Sequence, residues 1–180
     1  VYLGTANSNG QISIQGDGVG FDTLSAVNGI SLFGQNNGVS GNALNAQSIS
    51  IQGDTIGVTR ISGGSAELTS SFFTNVRTVD LTGDFSVVAF SGDIFLGTVT
   101  ASGGVGLDGG VISFDSITTN GAFSVSGGGL FGGTVSAGTL ASFTIGEGGI
   151  SIERVTTTST ETGYGNIVIN ASSAVSAGTL

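Results

Sequence analysis

The chain has 180 residues, 34 of them Gly, and it contains no Pro, Cys, Met, Trp or His. Twelve acidic residues against three arginines, Arg60, Arg77 and Arg154, give a formal charge of −9. Collagen is excluded because it needs Gly at every third position together with Pro. Cysteine, histidine and lysine chemistry is excluded because those side chains are missing.

The charge and hydropathy of the chain also limit its partners. Three scattered cations cannot form the basic surface that phosphate backbones require, so we expect no nucleic acid partner. No stretch approaches the roughly 20 apolar residues of a membrane-spanning helix, so we expect no membrane insertion. With 38% hydrophobic and 8% charged residues, the chain can build a core. Its Val, Ile, Phe and Thr content favours sheet.

Short sequence repeats run along the whole chain. The hexapeptide ISIQGD occurs at Ile12–Asp17 and Ile49–Asp54, with the related ISLFGQ at Ile30–Gln35 between them. VSAGTL occurs at Val135–Leu140 and again at Val175–Leu180. Related segments begin at Ala66, Val79, Val111, Phe123, Ile150 and Ile167. The steps indicate a unit of about 18 to 20 residues, the size of one solenoid coil.

Each repeat alternates apolar and polar residues and ends in Gly or a small polar residue, which is typical of a strand with one buried face. A sandwich would not require sequence identity at this period. A membrane barrel needs longer alternating segments with aromatic girdles. The sequence therefore predicts an all-β fold, a right-handed parallel β-helix of about 9–11 coils of roughly 18–20 residues, some of them irregular. We expect residues 1–180 to form a single segment, internal to a longer chain.

Equivalent positions of the first three repeats should stack on neighbouring coils. We expect the apolar side chains to point inward: Ile12, Ile14, Ile30, Leu32, Ile49 and Ile51. The serines between them, Ser13, Ser31 and Ser50, should point outward. Gly16, Gly34 and Gly53 should form a column at a corner that is crowded or needs positive φ. Asp17, Gln35 and Asp54 should form a column in which Gln35 separates the two carboxylates.

Carboxylates are the main acid–base groups left for catalysis. Asp80, Asp84 and Asp93 form the densest acidic group, and Arg77 lies nearby in the sequence. A general acid and a nucleophile could be drawn from such a group in a carbohydrate-active β-helix enzyme. We interpret the three residues instead as solvated loop and strand-end carboxylates and predict that the chain is not an enzyme.

Two segments are similar to the calcium-binding nonapeptide of RTX β-rolls. They are DGVGFDTLS, from Asp17, and GGVGLDGGV, from Gly103. The weak calcium candidates are Asp17, Asp22 and Asp108. RTX sites draw ligands from consecutive repeats, whereas these copies are single and far apart. We therefore expect turn residues here, with no metal and no cofactor.

Two threonine runs, Thr98–Thr100 and Thr156–Thr158, are similar to parts of ice-binding solenoids. An ice-binding face needs the same threonine pair on every coil. These runs do not recur at the period of the repeats, so we interpret them as ordinary strand threonines.

The repeat style resembles that of filamentous-haemagglutinin-type adhesins, which are large exoproteins exported by two-partner or autotransporter routes. The resemblance lies in ISIQGD, GISLFG and the stretch Gly165–Leu180. It implies an adhesive shaft at the bacterial cell surface or outside the cell, acting in attachment and biofilm matrix. The implied partners are adjacent solenoid segments or further copies of the chain, together with host or matrix glycans. The alternative is a subunit that stacks end to end into an extracellular filament.

Overall fold

The structure is a computed structural model that describes residues 1–159 and 165–179. Over these residues the chain forms eleven strands and no helix. The strands are β1 (Tyr2–Ser8), β2 (Gln11–Ala26), β3 (Gly29–Leu81), β4 (Phe85–Ala89), β5 (Asp93–Ala101), β6 (Val105–Thr119), β7 (Phe123–Ala137), β8 (Ala141–Ile145), β9 (Ile150–Thr157), β10 (Ile167–Ala171) and β11 (Val175–Thr179). The described residues thus contain no helix that could cross a membrane. Leu180, which ends the second VSAGTL repeat, lies outside the described residues.

Successive coils pair in parallel along the chain. The main path of the sheet runs β1-β2-β3-β4-β6-β7-β8-β10; β5 pairs with β3 and β6, while β9 pairs with β7 and β11. Parallel strands normally require a helical crossover, but here each strand pairs with the segment one coil later in the sequence. The result is a β-solenoid of about eight turns, which confirms the predicted fold class.

The coil length varies along the solenoid. Phe85 pairs with Val105, and Val105 pairs in turn with Phe123. The coil from Val105 to Phe123 therefore contains fewer residues than the coil from Phe85 to Val105. The last coil is the longest, because Ala141 pairs with Ile167. The solenoid has about eight turns, fewer than the expected 9–11.

The predicted inward ladder of the first sheet is present. Ile12 pairs with Ile30 and Ile14 with Leu32, and the serines Ser13 and Ser31 pair with each other on the exposed side. Ile30, Leu32, Ile49 and Ile51 are buried, while Ile12 and Ile14 on the first coil are half-buried against the core. Alternation in the sequence thus placed the side chains on the correct faces.

The glycine column marks a crowded corner. Gly16 pairs with Gly34, and a β-carbon on Gly53 would lie 3.0 Å from the Gly34 carbonyl oxygen. A β-carbon on Gly34 would overlap the carbonyl of Gly38. Gly38 itself has φ of +72°, whereas Gly16, Gly34 and Gly53 do not lie in the positive-φ region. Close backbone approach therefore explains Gly34 and Gly53, whereas a β-carbon on Gly16 would lie 2.9 Å from the Val1 side chain.

The expected Asp17–Gln35–Asp54 column was wrong in its first step. The register shifts after Gly16, so one residue of β2 lies opposite three residues of β3 before Gly18 pairs with Gly38. Such a bulge adds residues to one strand, and here it makes the coil longer. The bulge also places Asn36 close to Asp17, and the Asn36 side-chain amide donates a hydrogen bond of 3.0 Å to the Asp17 carboxylate.

Three phenylalanines stack inside the later coils. The Phe123 ring makes edge contacts with Phe114 at 6.1 Å and with Phe143 at 5.5 Å between ring centroids. Both Phe123 and Phe143 are completely buried. Edge-to-face geometry is favourable for aromatic rings and adds to the gain from burying them. This stack therefore joins three successive parts of the core.

We expect Phe123→Ala to lower the free energy of unfolding by about 3–5 kcal/mol, because it leaves a cavity between two rings. The matched control is Phe90→Ala, since the Phe90 side chain is 76% exposed, and it should change stability by no more than about 0.5 kcal/mol. Chemical denaturation followed by circular dichroism measures both. Equal effects of the two substitutions would contradict the proposed role of the stack.

Candidate functional site

One corner of the later coils carries alternating charged residues and glycines. The paired residues on either side, such as Val76 with Leu96 and Thr78 with Thr98, imply that Arg77 lies opposite Gly97. By the same reasoning Gly97 lies opposite Asp115, Asp115 opposite Gly133, and Gly133 opposite Glu153. We call these five residues the corner column. The side chains of Arg77, Asp115 and Glu153 are exposed.

The glycines of the corner column are required by close backbone packing. A β-carbon on Gly97 would overlap the carbonyl oxygen of Arg77, and one on Gly133 would overlap that of Asp115. Because side chains are absent at alternate coils, the two carboxylates are about 9.6 Å apart along the axis, twice the spacing of neighbouring strands. This separation reduces their mutual repulsion and leaves open notches between them.

A second column, beside the corner, carries aromatic side chains. Asn75 pairs with Phe95, Phe95 with Ser113, Ser113 with Phe131, and Phe131 with Ser151. We call this the aromatic column. Phe95 and Phe131 are 39% and 47% exposed, although both are large apolar side chains. They face solvent two coils apart, with a small serine between them.

The Phe95 ring is supported from one side. Phe73, one coil earlier, lies with its ring centroid 5.3 Å from that of Phe95 at an interplanar angle of 40°. Contacts between aromatic rings at this distance are favourable. Phe95 is thereby restrained even though one face of the ring is open to solvent.

The two columns border an open groove of about 620 Å³. Most of its side chains come from the corner column and the aromatic column, Leu96 and Phe114 between the columns also line it, and Gly97, Gly132 and Gly133 contribute backbone. The lining set is Asn75, Arg77, Phe95, Leu96, Gly97, Ser113, Phe114, Asp115, Phe131, Gly132, Gly133 and Glu153. Exposed rings beside an amide, a hydroxyl, two carboxylates and a guanidinium can contact apolar faces and also donate and accept hydrogen bonds.

A surface rich in hydroxyl groups follows the corner on its other side. Thr98 pairs with Ser116 and Ser116 with Thr134, while Thr100 pairs with Thr118. Thr118 pairs with Ser136, which in turn pairs with Thr156. Hydroxyl groups thus recur on these coils as a mixture of serine and threonine, and Thr156 continues the Thr100 row, whereas Arg154 ends the Thr98 row. The same threonine pair does not recur on every coil, as expected from the sequence.

The acidic group considered for catalysis does not converge. Asp80 pairs with Thr100 and Asp93 with Phe73, so the two lie seven positions apart along the paired strands. The carboxylate of Asp84 accepts a 2.6 Å hydrogen bond from the amide of Gly104. That of Asp93 accepts one of 2.8 Å from the amide of Val111. Asp84 and Asp93 therefore bind backbone of the next coil, and only Arg77 of this predicted set lines the groove.

The three calcium candidates also lie apart. Asp17 accepts a hydrogen bond from Asn36, and Asp22 accepts one of 2.8 Å from the Tyr2 hydroxyl. This hydrogen bond, with smaller contributions from desolvation and the Asp22 charge, raises the pKa of Tyr2. Asp108 is exposed on β6, between Val88 and Ser126. Among the described residues, no three acidic side chains are grouped so that they could hold a metal ion.

The groove residues other than Arg77 were missed at the sequence level. Their signal was present, because Phe95, Ser113 and Phe131 follow one another at equal steps in the sequence. The corner column recurs at the coil lengths found elsewhere in the solenoid. Searching for single motifs overlooked this pattern, whereas aligning every residue by coil position would have found it.

No family model matches the chain, and no curated protein or solved structure is detectably similar to it.

Asp93 provides a test of whether the carboxylates that accept hydrogen bonds from the backbone of the next coil stabilise the fold. We expect Asp93→Ala to destabilise the protein by about 1 kcal/mol, because the Val111 amide loses its acceptor. The control is Asp108→Ala, which removes an exposed carboxylate that accepts no hydrogen bond from the described residues and should change stability by less than about 0.5 kcal/mol. Denaturant midpoints report the difference. A larger loss in Asp108→Ala would contradict this assignment.

Proposed function

We propose that this chain is the structural and adhesive shaft of a large secreted or cell-surface bacterial protein of the filamentous-haemagglutinin type, without catalytic activity. The observation that supports this proposal most is the apolar interior, which continues through every described coil from Val19 to Val155. A stack of similar coils is a suitable spacer because each coil contacts only its neighbours, and its length grows with the number of coils.

The dimensions and charge of the solenoid suit an extracellular rod. About eight turns at a strand spacing of roughly 4.8 Å give a length of about 40 Å. The formal charge of −9 opposes lateral aggregation of rods. The chain also lacks Cys and Met, the side chains most easily oxidised outside the cell. These properties support a location on the bacterial surface or in the biofilm matrix.

A non-catalytic role is proposed because the arrangement of Asp80, Asp84 and Asp93 does not suit an acid–base pair. Two of these carboxylates accept backbone hydrogen bonds, and Asp80 lies on a different part of the paired strands. The adhesive role would instead depend on surface contacts with glycans of a host or matrix. Neighbouring solenoid segments would be the structural partners.

The alternative function is a subunit of a filament that stacks end to end. One observation favours it: inward apolar side chains on the first and last described coils are only half-buried. Ile12 and Ile14 lie at one end, and Ile167 and Ile169 at the other. Parallel strands at both ends can pair with further strands, from the same chain or from another copy.

Attachment assays on cells that produce the full-length protein test the shaft proposal. Antibodies against this segment should label intact cells. In-frame deletion of the segment should lower attached biomass several-fold, while the rest of the chain remains on the surface. A deletion of similar length elsewhere in the chain serves as the control. Unchanged attachment, or labelling only after lysis, would contradict the proposal.

The filament alternative predicts that the chain assembles in a manner that depends on its concentration. Analytical ultracentrifugation should then show oligomers that grow by end-to-end contacts. Ile14→Asp should abolish them, because a charge at the end coil would be buried without a partner. Ser13→Asp, on the outward face of the same strand, is the matched control and should still assemble. A monomer at all concentrations would contradict this alternative.

A further inference from the structure

We infer that the groove between the corner column and the aromatic column binds a neutral polysaccharide, with the sugar chain lying along the solenoid axis. The inference deepens the proposed adhesive function by naming a binding surface and a ligand class. Its biological meaning rests on that proposal, although the binding itself can be measured on the isolated chain.

The two exposed phenylalanines supply the apolar contacts. Phe95 and Phe131 are 39% and 47% exposed, so apolar surface on each ring remains in contact with water and would be covered by a bound ligand. The flat face of a pyranose ring presents C–H groups that pack against an aromatic face. The rings are about 9.6 Å apart along the axis, twice the coil spacing. That distance is comparable with the length of two linked sugar rings, so successive disaccharide units of one chain would meet successive rings.

The polar side chains of the groove match sugar hydroxyl groups. A hydroxyl both donates and accepts, so it can donate to Asp115 or Glu153 and accept from Arg77. Gly97 and Gly133 lie between these side chains in the register. The missing side chains leave notches in which a sugar can approach the backbone. Asn75 and Ser113, in the aromatic column, can bind hydroxyl groups at the base of the rings.

The charge of the groove selects against anionic glycans. Two carboxylates and one guanidinium give the lining a formal charge of −1, and the whole chain carries −9. Uronic or sialic acid carboxylates would therefore be repelled. The lining also lacks the cluster of cations that sulfated glycans require. These charges favour neutral hexose chains as the ligand.

The geometry favours a linear polymer over a folded protein. Floor and rims repeat along the axis because they come from equivalent positions of consecutive coils. The exposed hydroxyl rows through Thr98 and Thr100 run parallel to the groove on the next face. A glycan chain with a regular repeat can extend along such a surface, whereas a protein partner would need a larger apolar contact area than two rings provide.

Affinity gel electrophoresis of the purified chain tests the inference. The probes are two neutral polysaccharides, laminarin and hydroxyethylcellulose, and one anionic polysaccharide, polygalacturonate. We expect at least one neutral polymer to retard the protein in proportion to its concentration. Polygalacturonate should have little effect at low ionic strength. An absence of retardation by both neutral polymers, or retardation by polygalacturonate alone, would overturn the inference.

Ring substitutions locate the binding surface. Phe95→Ala and Phe131→Ala should each weaken binding by about tenfold, as expected for loss of one well-placed aromatic contact. Phe95→Tyr should retain it because the ring is kept. The matched control, Phe90→Ala, removes a ring that is 76% exposed and does not line the groove. Circular dichroism confirms that each variant folds. Equal loss in Phe90→Ala, or unchanged binding in both groove variants, would overturn the assignment.

The same variants separate this inference from the proposed function. If attachment of cells requires the segment but is unaffected by Phe95→Ala and Phe131→Ala, the groove assignment fails and the shaft proposal stands. If the isolated chain binds a neutral polysaccharide through both rings but cells attach equally well without the segment, the groove stands and the adhesive proposal fails.

Discussion

The parallel backbone hydrogen bonding between successive coils is the constraint on which the rest of the structure depends. It places each residue directly against its equivalent on the next coil, as for Val105 and Phe123 or Phe85 and Val105. A slip of one residue would turn every inward side chain to the surface. The apolar interior therefore fixes the register, and the outward side chains of successive coils are aligned by the same register. Columns of side chains on the outside are a direct consequence of this pairing.

Stacking in register also creates a problem, because identical charges would lie about 4.8 Å apart on adjacent coils. In the corner column Gly133 separates the like charges of Asp115 and Glu153, whereas Gly97 lies between Asp115 and the oppositely charged Arg77. At both glycines the backbone approaches too closely for a β-carbon. Packing and electrostatics therefore favour the same residue at Gly133, while packing alone explains Gly97. The groove arises where this pattern meets two exposed rings.

Repeats in the sequence predicted the fold class well, because burial acts on each coil in the same way. The inward and outward positions of Ile12, Ser13 and Ile30 followed directly from alternation. The details that failed depend on local insertions. A bulge after Gly16 replaces Gln35 by Asn36 as the hydrogen-bond partner of Asp17, and the step from Ala141 to Ile167 is longer than the repeats predicted. The groove was missed because it is defined by register over several coils, and no single segment carries a recognisable motif.

A rod and the proposed binding surface are compatible, because the side chains that would contact the glycan project from regularly paired coils. The position of Phe131 relative to Phe95 is set by two coil steps of the backbone, and Phe73 restrains Phe95 further. Because Phe95 already packs against Phe73, less of its side-chain entropy would be lost on binding. Affinity at one groove can stay modest, because copies along a longer rod or on neighbouring rods would contact one polymer together. The proposed adhesion would then depend on the same repetition of coils that the fold requires.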